Sequence, residues 1–138
     1  MHVDHVGISV ADLDAQVSWY QRALGLTIAS PFEIPPIGLR GVFLVGPDGV
    51  ALELLERKGS QPGLNAPDAA TALLTRGYVH ICFRADDVDE LHARLVASGA
   101  TERMAPQEAP EAGVRMSFVA DPEGNLIELI DRSGPPGS

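Results

Sequence analysis

Two histidines and two glutamates stand at matching places in the sequence. The interval from His5 to Glu53 is identical to the interval from His80 to Glu128. Neutral imidazoles together with carboxylates suit a divalent metal ion of intermediate hardness: Zn, Ni, Co, Mn or Fe(II). We therefore expect the four residues to form one metal site. Such a set either closes a structural tetrahedral site or leaves positions open for water or substrate, and an open cleft favours the second arrangement.

The residues around the two pairs form an internal repeat. When the chain is aligned with itself so that His5 falls on His80, HVGISVADLD from His5 aligns with HICFRADDVD from His80. In the same alignment, GLRGVFLVGPDGVALELLER from Gly38 falls on GVRMSFVADPEGNLIELIDR from Gly113, with eight of the twenty positions identical. Because a duplicated module places equivalent residues symmetrically, the two His–Glu pairs are predicted to converge on one point.

The residue pattern of each copy of the repeat predicts the element order β-α-β-β-β. In the first copy we predict strands over residues 3–10, 27–30, 39–45 and 50–55, with a helix in AQVSWYQRALGL after Asp12 or Asp14. The second copy repeats this with a strand over 78–84, a helix over 88–98, a short strand near residue 101 and a hairpin across DPEG. The predicted fold is α+β, with two tandem βαβββ modules forming an open, cupped mixed sheet around a metal site.

The chain length suits one domain. We expect a single domain over residues 1–132, with modules at about 2–57 and 77–132, a linker over 58–76 and a flexible tail over 133–138. The loops over 31–37 and 104–112 are expected to determine the substrate.

Strand periodicity places each candidate ligand between apolar neighbours. Alternate residues of a strand share a face, and a lone carboxylate among apolar residues is costly unless it is paired or metal-bound. Taken singly, a strand histidine is usually structural and a strand glutamate can face water. The repeated placement favours the metal site.

The net charge and the cysteine content limit the classes of partner and the cellular compartment that we expect. The net charge of −9 argues against nucleic acid or an anionic membrane as a partner and leaves a small-molecule substrate. Cys82 is the single cysteine, so no intrachain disulfide forms and a reducing compartment is expected. The first residues do not resemble a signal peptide, and we expect a cytoplasmic protein.

Four segments carry a resemblance to a known family: DHVGISVADLDAQVSWYQRALGL, VALELLE, YVHICFRADDVDEL and DPEGNLIELID. They resemble the vicinal oxygen chelate superfamily, which includes glyoxalase I, methylmalonyl-CoA epimerase, fosfomycin-resistance enzymes, extradiol dioxygenases and bleomycin-resistance proteins. The resemblance covers roughly residues 2–132. It implies paired βαβββ modules, a homodimer, and ligands at the first-, fourth-, fifth- and eighth-strand positions, which are occupied by His5, Glu53, His80 and Glu128.

The ligand at the fourth-strand position selects a branch of this family. Extradiol dioxygenases look similar but have no ligand there, so Glu53 favours the four-ligand branch that resembles glyoxalase I and the epimerase. The resemblance then implies a lyase or isomerase that moves a proton next to a metal-bound carbonyl, with Glu128 and Glu53 as proton carriers. Pro36 stands where the epimerase would supply a second catalytic glutamate, and Glu33 nearby is a substitute. We recognise no set of basic residues in the sequence that would bind glutathione.

Two other functions stay open at this point: an Fe(II)-dependent, extradiol-type dioxygenase and a non-catalytic, antibiotic-binding protein. Arg84 either contacts an anionic substrate or pairs with Asp86 or Asp87 at the rim. We interpret Arg40 and Arg115 as structural because both copies have them, Cys82 as a buried inert thiol, and His2 and His92 as surface residues.

Overall fold

The computed structural model describes residues 1–137, and their contacts divide into two compact units. The first unit is Met1–Gly63, and the second begins at Leu64, inside the predicted linker. Each unit contains one βαβββ module, which confirms the α+β class and the tandem modules. The single-domain boundaries stay a prediction, and the last residue of the predicted flexible tail lies outside the described chain. None of the helices within residues 1–137 is both long and apolar enough to cross a membrane.

In the first unit, one helix and four strands follow the predicted order, with a 3-10 turn over Pro35–Ile37. They are β1 (Val6–Ser9), α1 (Leu13–Leu24), β2 (Thr27–Ile34), β3 (Leu39–Val45) and β4 (Ala51–Arg57). The sheet order is β1-β4-β3-β2, in which β1 is parallel to β4 and the other pairs are antiparallel. The middle position of β4 beside β1 brings the region of Glu53 next to the start of the chain.

The second unit has the same sheet topology and one additional short helix. Its elements are α2 (Ala69–Ala72), β5 (His80–Arg84), α3 (Val88–Ala97), β6 (Thr101–Glu108), β7 (Arg115–Ala120) and β8 (Leu126–Asp131). The sheet order is β5-β8-β7-β6, with β5 parallel to β8. Within residues 1–137, the predicted open sheet therefore consists of two hydrogen-bonded sheets of four strands each.

Local sequence signals explain where the helices begin and end. The side chain of Asp12 accepts a hydrogen bond from the backbone N–H of Ala15, so Asp12 is the N-cap of α1. Gly25 ends α1 in the left-handed conformation, with φ 68°. In the second unit, Asp87 caps α3 through the N–H of Glu90.

The core of each unit lies between its helix and its sheet. In the first unit, Trp19 and Tyr20 of α1 are buried together with Leu52 and Leu54 of β4. These two leucines flank Glu53 in the sequence, so Glu53 must project from the opposite face of the sheet. That face is the one on which the candidate site is built.

The two edge strands β2 and β6 extend well past their predicted ends. β2 continues through Pro31 to Ile34, and β6 continues to Glu108, so the expected loops over 31–37 and 104–112 are partly strand. β2 is an edge strand, where a proline can sit because its missing N–H need not join the hydrogen-bond ladder. In contrast, β1 begins only at Val6 and is shorter than predicted.

Candidate metal centre

The first half-site consists of His5, just before β1, and Glu53 of β4. The Nε2 atom of His5 lies 3.4 Å from Oε2 of Glu53. The Nδ1 atom of His5 is 2.8 Å from Oδ2 of Asp4, and this hydrogen bond raises the pKa of His5, against the opposing effect of desolvation. With its Nδ1–H donated to Asp4, His5 keeps the lone pair of Nε2 for a metal ion.

The second half-site consists of His80, the first residue of β5, and Glu128 of β8. The Nε2 atom of His80 lies 2.9 Å from Oε2 of Glu128. The hydrogen bond from His80 lowers the pKa of Glu128, although partial burial of the carboxyl opposes the shift. Cys82 is the register partner of Glu128, so the two side chains share a face of the second sheet.

A phenylalanine completes each half-site in the same way. Phe43 is the cross-strand partner of Glu53, and its ring meets the His5 ring edge-on at a centroid distance of 5.1 Å. Phe118 is the cross-strand partner of Glu128 and meets His80 at 5.3 Å, also edge-on. The duplication seen in the sequence is therefore also a duplication of side-chain geometry.

Both carboxylates are only partly accessible. The exposed fraction of the side chain is 20% for Glu53 and 15% for Glu128. A short segment covers part of the second site face, because Ala72 of α2 packs with Phe118 and Leu126. Each carboxylate therefore lies on a partly sheltered sheet surface, where a polar partner is needed.

The donor types fit a divalent metal ion, but one half-site supplies too few ligands. Each has one imidazole nitrogen and one carboxylate, a combination that suits an ion of intermediate hardness. Across residues 1–137, no group of three or more His, Cys, Asp or Glu side chains is arranged to hold a metal ion. The convergence of all four side chains on one ion stays a prediction.

Three side chains have different surroundings from those expected. Cys82 is exposed at the surface and is not the fully buried thiol we predicted, since it lies on the open face of the edge strand β5. The sulfur is nevertheless partly desolvated, and this burial, with the nearby Glu128 carboxylate, raises the pKa of Cys82 to about 12. His92, expected at the surface, is 5% exposed because α3 packs against the second sheet, and its Nε2 pairs with Glu102 at 2.8 Å. Arg84 donates to the carbonyl of Gly134 at 2.7 Å, and its role toward substrate stays a prediction.

The structural interpretation of the repeated arginines is supported. Arg40 donates to both carboxylate oxygens of Glu56, which in turn accepts the backbone N–H of Leu13 and so ties the hairpin to α1. Arg115 pairs with Asp89 of α3 in the second unit. Glu33 is in register with Arg40 and shares the face of Glu56, so it lies on the opposite face from Glu53 and does not replace the missing glutamate.

Asp4, Phe43 and Phe118 were not singled out as site residues in the sequence. Both phenylalanines belong to the identical positions of the repeat, which was a usable signal because they occupy the same place ahead of each glutamate. Asp4 has no acidic counterpart, since Val79 precedes His80. Its contact with His5 could not be found from the repeat.

The sequence of residues 2–129 matches the family model of the Glyoxalase/Bleomycin resistance protein/Dioxygenase superfamily. A lactoylglutathione lyase of Arabidopsis thaliana is 28% identical over 96% of this chain, which spans only 44% of that protein. An ethylmalonyl-CoA/methylmalonyl-CoA epimerase of Cereibacter sphaeroides is 29% identical over 92% of this chain and 95% of its own length. The crystal structure of glyoxalase I from Zea mays is similar, with a TM-score of 0.77, 25% identity and coverage of 98% of this chain and 46% of that one. The chain belongs to the glyoxalase/bleomycin resistance protein/dioxygenase superfamily.

Proposed function

We propose that this protein is a metal-dependent lyase or isomerase that transfers a proton next to the carbonyl of a small-molecule substrate. The observation that carries the proposal is the duplicated contact between a histidine Nε2 and a glutamate Oε2, in His5–Glu53 and in His80–Glu128. The names of the relatives agree with this chemical class, since one is a lyase and another an epimerase.

The four residues of the two half-sites would hold one divalent ion, either Zn, Ni, Co, Mn or Fe. When bound, such an ion polarises a carbonyl group, lowers the pKa of the adjacent C–H and stabilises the negative charge that develops. The contact between His5 and Asp4 leaves Nε2 as the ligand atom on that residue.

The carboxylates are the groups that can move the proton. The lowered pKa of Glu128 keeps this side chain ionised at neutral pH, as a proton acceptor must be. Glu53 has the equivalent position in the first half-site. The rings of Phe43 and Phe118 lie against the histidines and shield this chemistry from water on one side.

The assembly we propose is a homodimer. Each half-site supplies two of the four ligands, so a complete centre can combine both units of one chain or units from two chains. Either arrangement gives one metal ion per chain.

Metal analysis of protein purified without chelator tests the proposal. We expect Zn, Ni, Co or Mn, together with either formation of lactoylglutathione or exchange of the α-hydrogen of methylmalonyl-CoA for deuterium. Bound iron with catechol-dependent oxygen uptake would instead indicate a dioxygenase. Failure to bind any metal after reconstitution would contradict both the lyase or isomerase function and the dioxygenase function. It would favour a non-catalytic binding protein.

A further inference from the structure

Residues 64–74, which we call the strap, lie on the site face of the second sheet. Ala72 in α2 is 1% exposed and packs with Phe118 and Leu126. Phe118 is the register partner of Glu128, and Leu126 precedes Glu128 by two residues, so both side chains project on the face of the second His–Glu pair. The strap therefore covers apolar surface beside that pair.

Asn65 attaches the beginning of the strap to the hairpin between β7 and β8. Its Oδ1 accepts a hydrogen bond from Nη2 of Arg103 at 2.8 Å. Its amide group also fills the space beside Gly124, where a Cβ atom would come within 2.6 Å of Cγ of Asn65. Because Gly124 has no side chain and has a φ of 91°, the hairpin turn offers a recess for the amide. We call these two contacts of Asn65 the latch.

Within residues 1–137, the first unit has no equivalent of the strap. The chain ahead of β1 contains no helix. Phe43, the counterpart of Phe118, is only partly buried, whereas Phe118 is 7% exposed. A Cβ atom on Gly49, at the matching place in the first hairpin turn, would meet nothing within 4 Å. The cover is therefore specific to the second His–Glu pair and is not a general requirement of the module.

The strap is held more weakly than the sheet beneath it. α2 is a single turn, too short to keep its shape without support from the sheet. Its buried contact is made by Ala72, a side chain that contributes little apolar surface. Asn65 is exposed, and Nε of Arg103 is buried without an acceptor within residues 1–137, so the latch is partly solvated and incompletely satisfied. Segments held in this way open locally while the rest of the fold stays closed.

From these contacts we propose that the strap is a gate over the second half-site. It opens as a unit when the latch releases, and it then uncovers the apolar surface of Phe118 and Leu126 next to Glu128. When the latch is closed, Ala72 supports Phe118, whose ring meets the ring of His80 edge-on at 5.3 Å. The identification of this face as a site rests on the proposed function, but the movement of the strap does not.

Thiol labelling of the metal-free full chain tests the opening directly. In a Cys82→Ser background, Ala72→Cys places a thiol under the strap and Ala70→Cys places one on its exposed side. We expect iodoacetamide to label position 72 at least about 100-fold more slowly than position 70, because only the open strap exposes position 72. Equal labelling rates at the two positions would show that the strap does not cover the sheet in solution and would overturn the gate.

Two changes at Asn65 should shift the gate in opposite directions. Asn65→Ala removes the latch and should speed the labelling of position 72 about tenfold. Asn65→Asp keeps the shape of the side chain and makes the hydrogen bond from Arg103 charge-assisted, so it should slow this labelling about threefold. Gln61→Ala, in the exposed chain before the strap, is the control and should leave the rate unchanged. A labelling rate that responds to neither change at Asn65 would contradict the latch.

Hydrogen exchange followed by mass spectrometry measures whether the strap opens by itself. The backbone N–H groups of Ala72, Leu73 and Leu74 are hydrogen-bonded within the strap. In Asn65→Ala, their exchange should rise about tenfold while β7 and β8 exchange at the wild-type rate. An equal rise in β7 and β8 would mean that the strap opens only with the whole second unit, which would overturn the gate. Since neither experiment uses metal, a chain that binds no metal would contradict the proposed function alone.

Discussion

Nε2 of His80 lies 2.9 Å from Oε2 of Glu128, and the same pair of atoms in His5 and Glu53 lies 3.4 Å apart. Each contact joins a residue at or just before the start of an edge strand to a residue within the neighbouring parallel strand. The duplicated module thus produces two equivalent His–Glu pairs.

Glu128→Gln should remove at least about 99% of the metal-dependent activity and weaken metal binding, because the amide is a poor ligand and cannot accept the proton. Steady-state kinetics and a metal titration measure both effects. Glu33→Gln is the matched control, since Glu33 lies on the other face of the first sheet and should tolerate the change. Turnover retained by Glu128→Gln would show that the proton carrier is elsewhere.

Asp4→Asn should lower the pKa of His5, because Asp4 is the largest cause of the raised value. A group whose pKa is raised in the folded state stabilises the fold below its unfolded pKa of about 6.5, and this contribution is lost as the pH rises through the folded pKa. NMR titration of the histidine ring protons measures the shift in metal-free protein. Asp48→Asn, on the exposed hairpin turn, should leave the His5 titration unchanged, and an unshifted His5 in Asp4→Asn would contradict this pairing.

Gly41→Ala should destabilise the first unit, because a Cβ atom at Gly41 would lie 2.2 Å from Cζ of Phe32. The ring would have to leave its place on the sheet, next to Phe43, at a cost of about 1–3 kcal/mol. Chemical denaturation measures the loss. Gly63→Ala is the control, since nothing lies within 4 Å of a Cβ atom there. Equal stabilities of the two variants would mean that Phe32 adapts freely.

Gln16→Leu should stabilise the protein by about 1 kcal/mol, because replacing a buried, unsatisfied amide by an apolar group of similar size removes the desolvation cost. Gln16 of α1 is 1% exposed, and within residues 1–137 neither its amide oxygen nor its amide nitrogen has a hydrogen-bond partner. Thermal unfolding should show a higher Tm for this variant, and the same change at the exposed Gln61 should have no effect. A lower Tm for Gln16→Leu would indicate that the amide has a partner after all.

The repeat made the fold and the two His–Glu contacts predictable. Aligning the chain with itself identified equivalent histidines and glutamates, and the apolar neighbours of Glu53 placed it on the face opposite the core. The extension of β2 past Pro31 was not predicted, because only the sheet order reveals that this strand lies at an edge.

The surroundings of single side chains were less predictable than the two His–Glu contacts. His92 of α3 is buried and pairs with Glu102 of β6, and both features depend on how α3 packs against the second sheet. Likewise, the part of the expected linker that forms α2 packs against Phe118, a contact without a local signal. Such contacts depend on tertiary packing, which periodicity does not report.

The most direct test of the central claim is the stoichiometry of Zn²⁺ binding, measured by isothermal titration calorimetry on wild type and on His5→Ala and His80→Ala. If the four ligands form one centre, wild type binds one ion per chain and each substitution weakens binding by at least about 100-fold, because either change removes one ligand of the same ion. Two ions per chain, or undiminished binding after loss of one histidine, would contradict the shared centre.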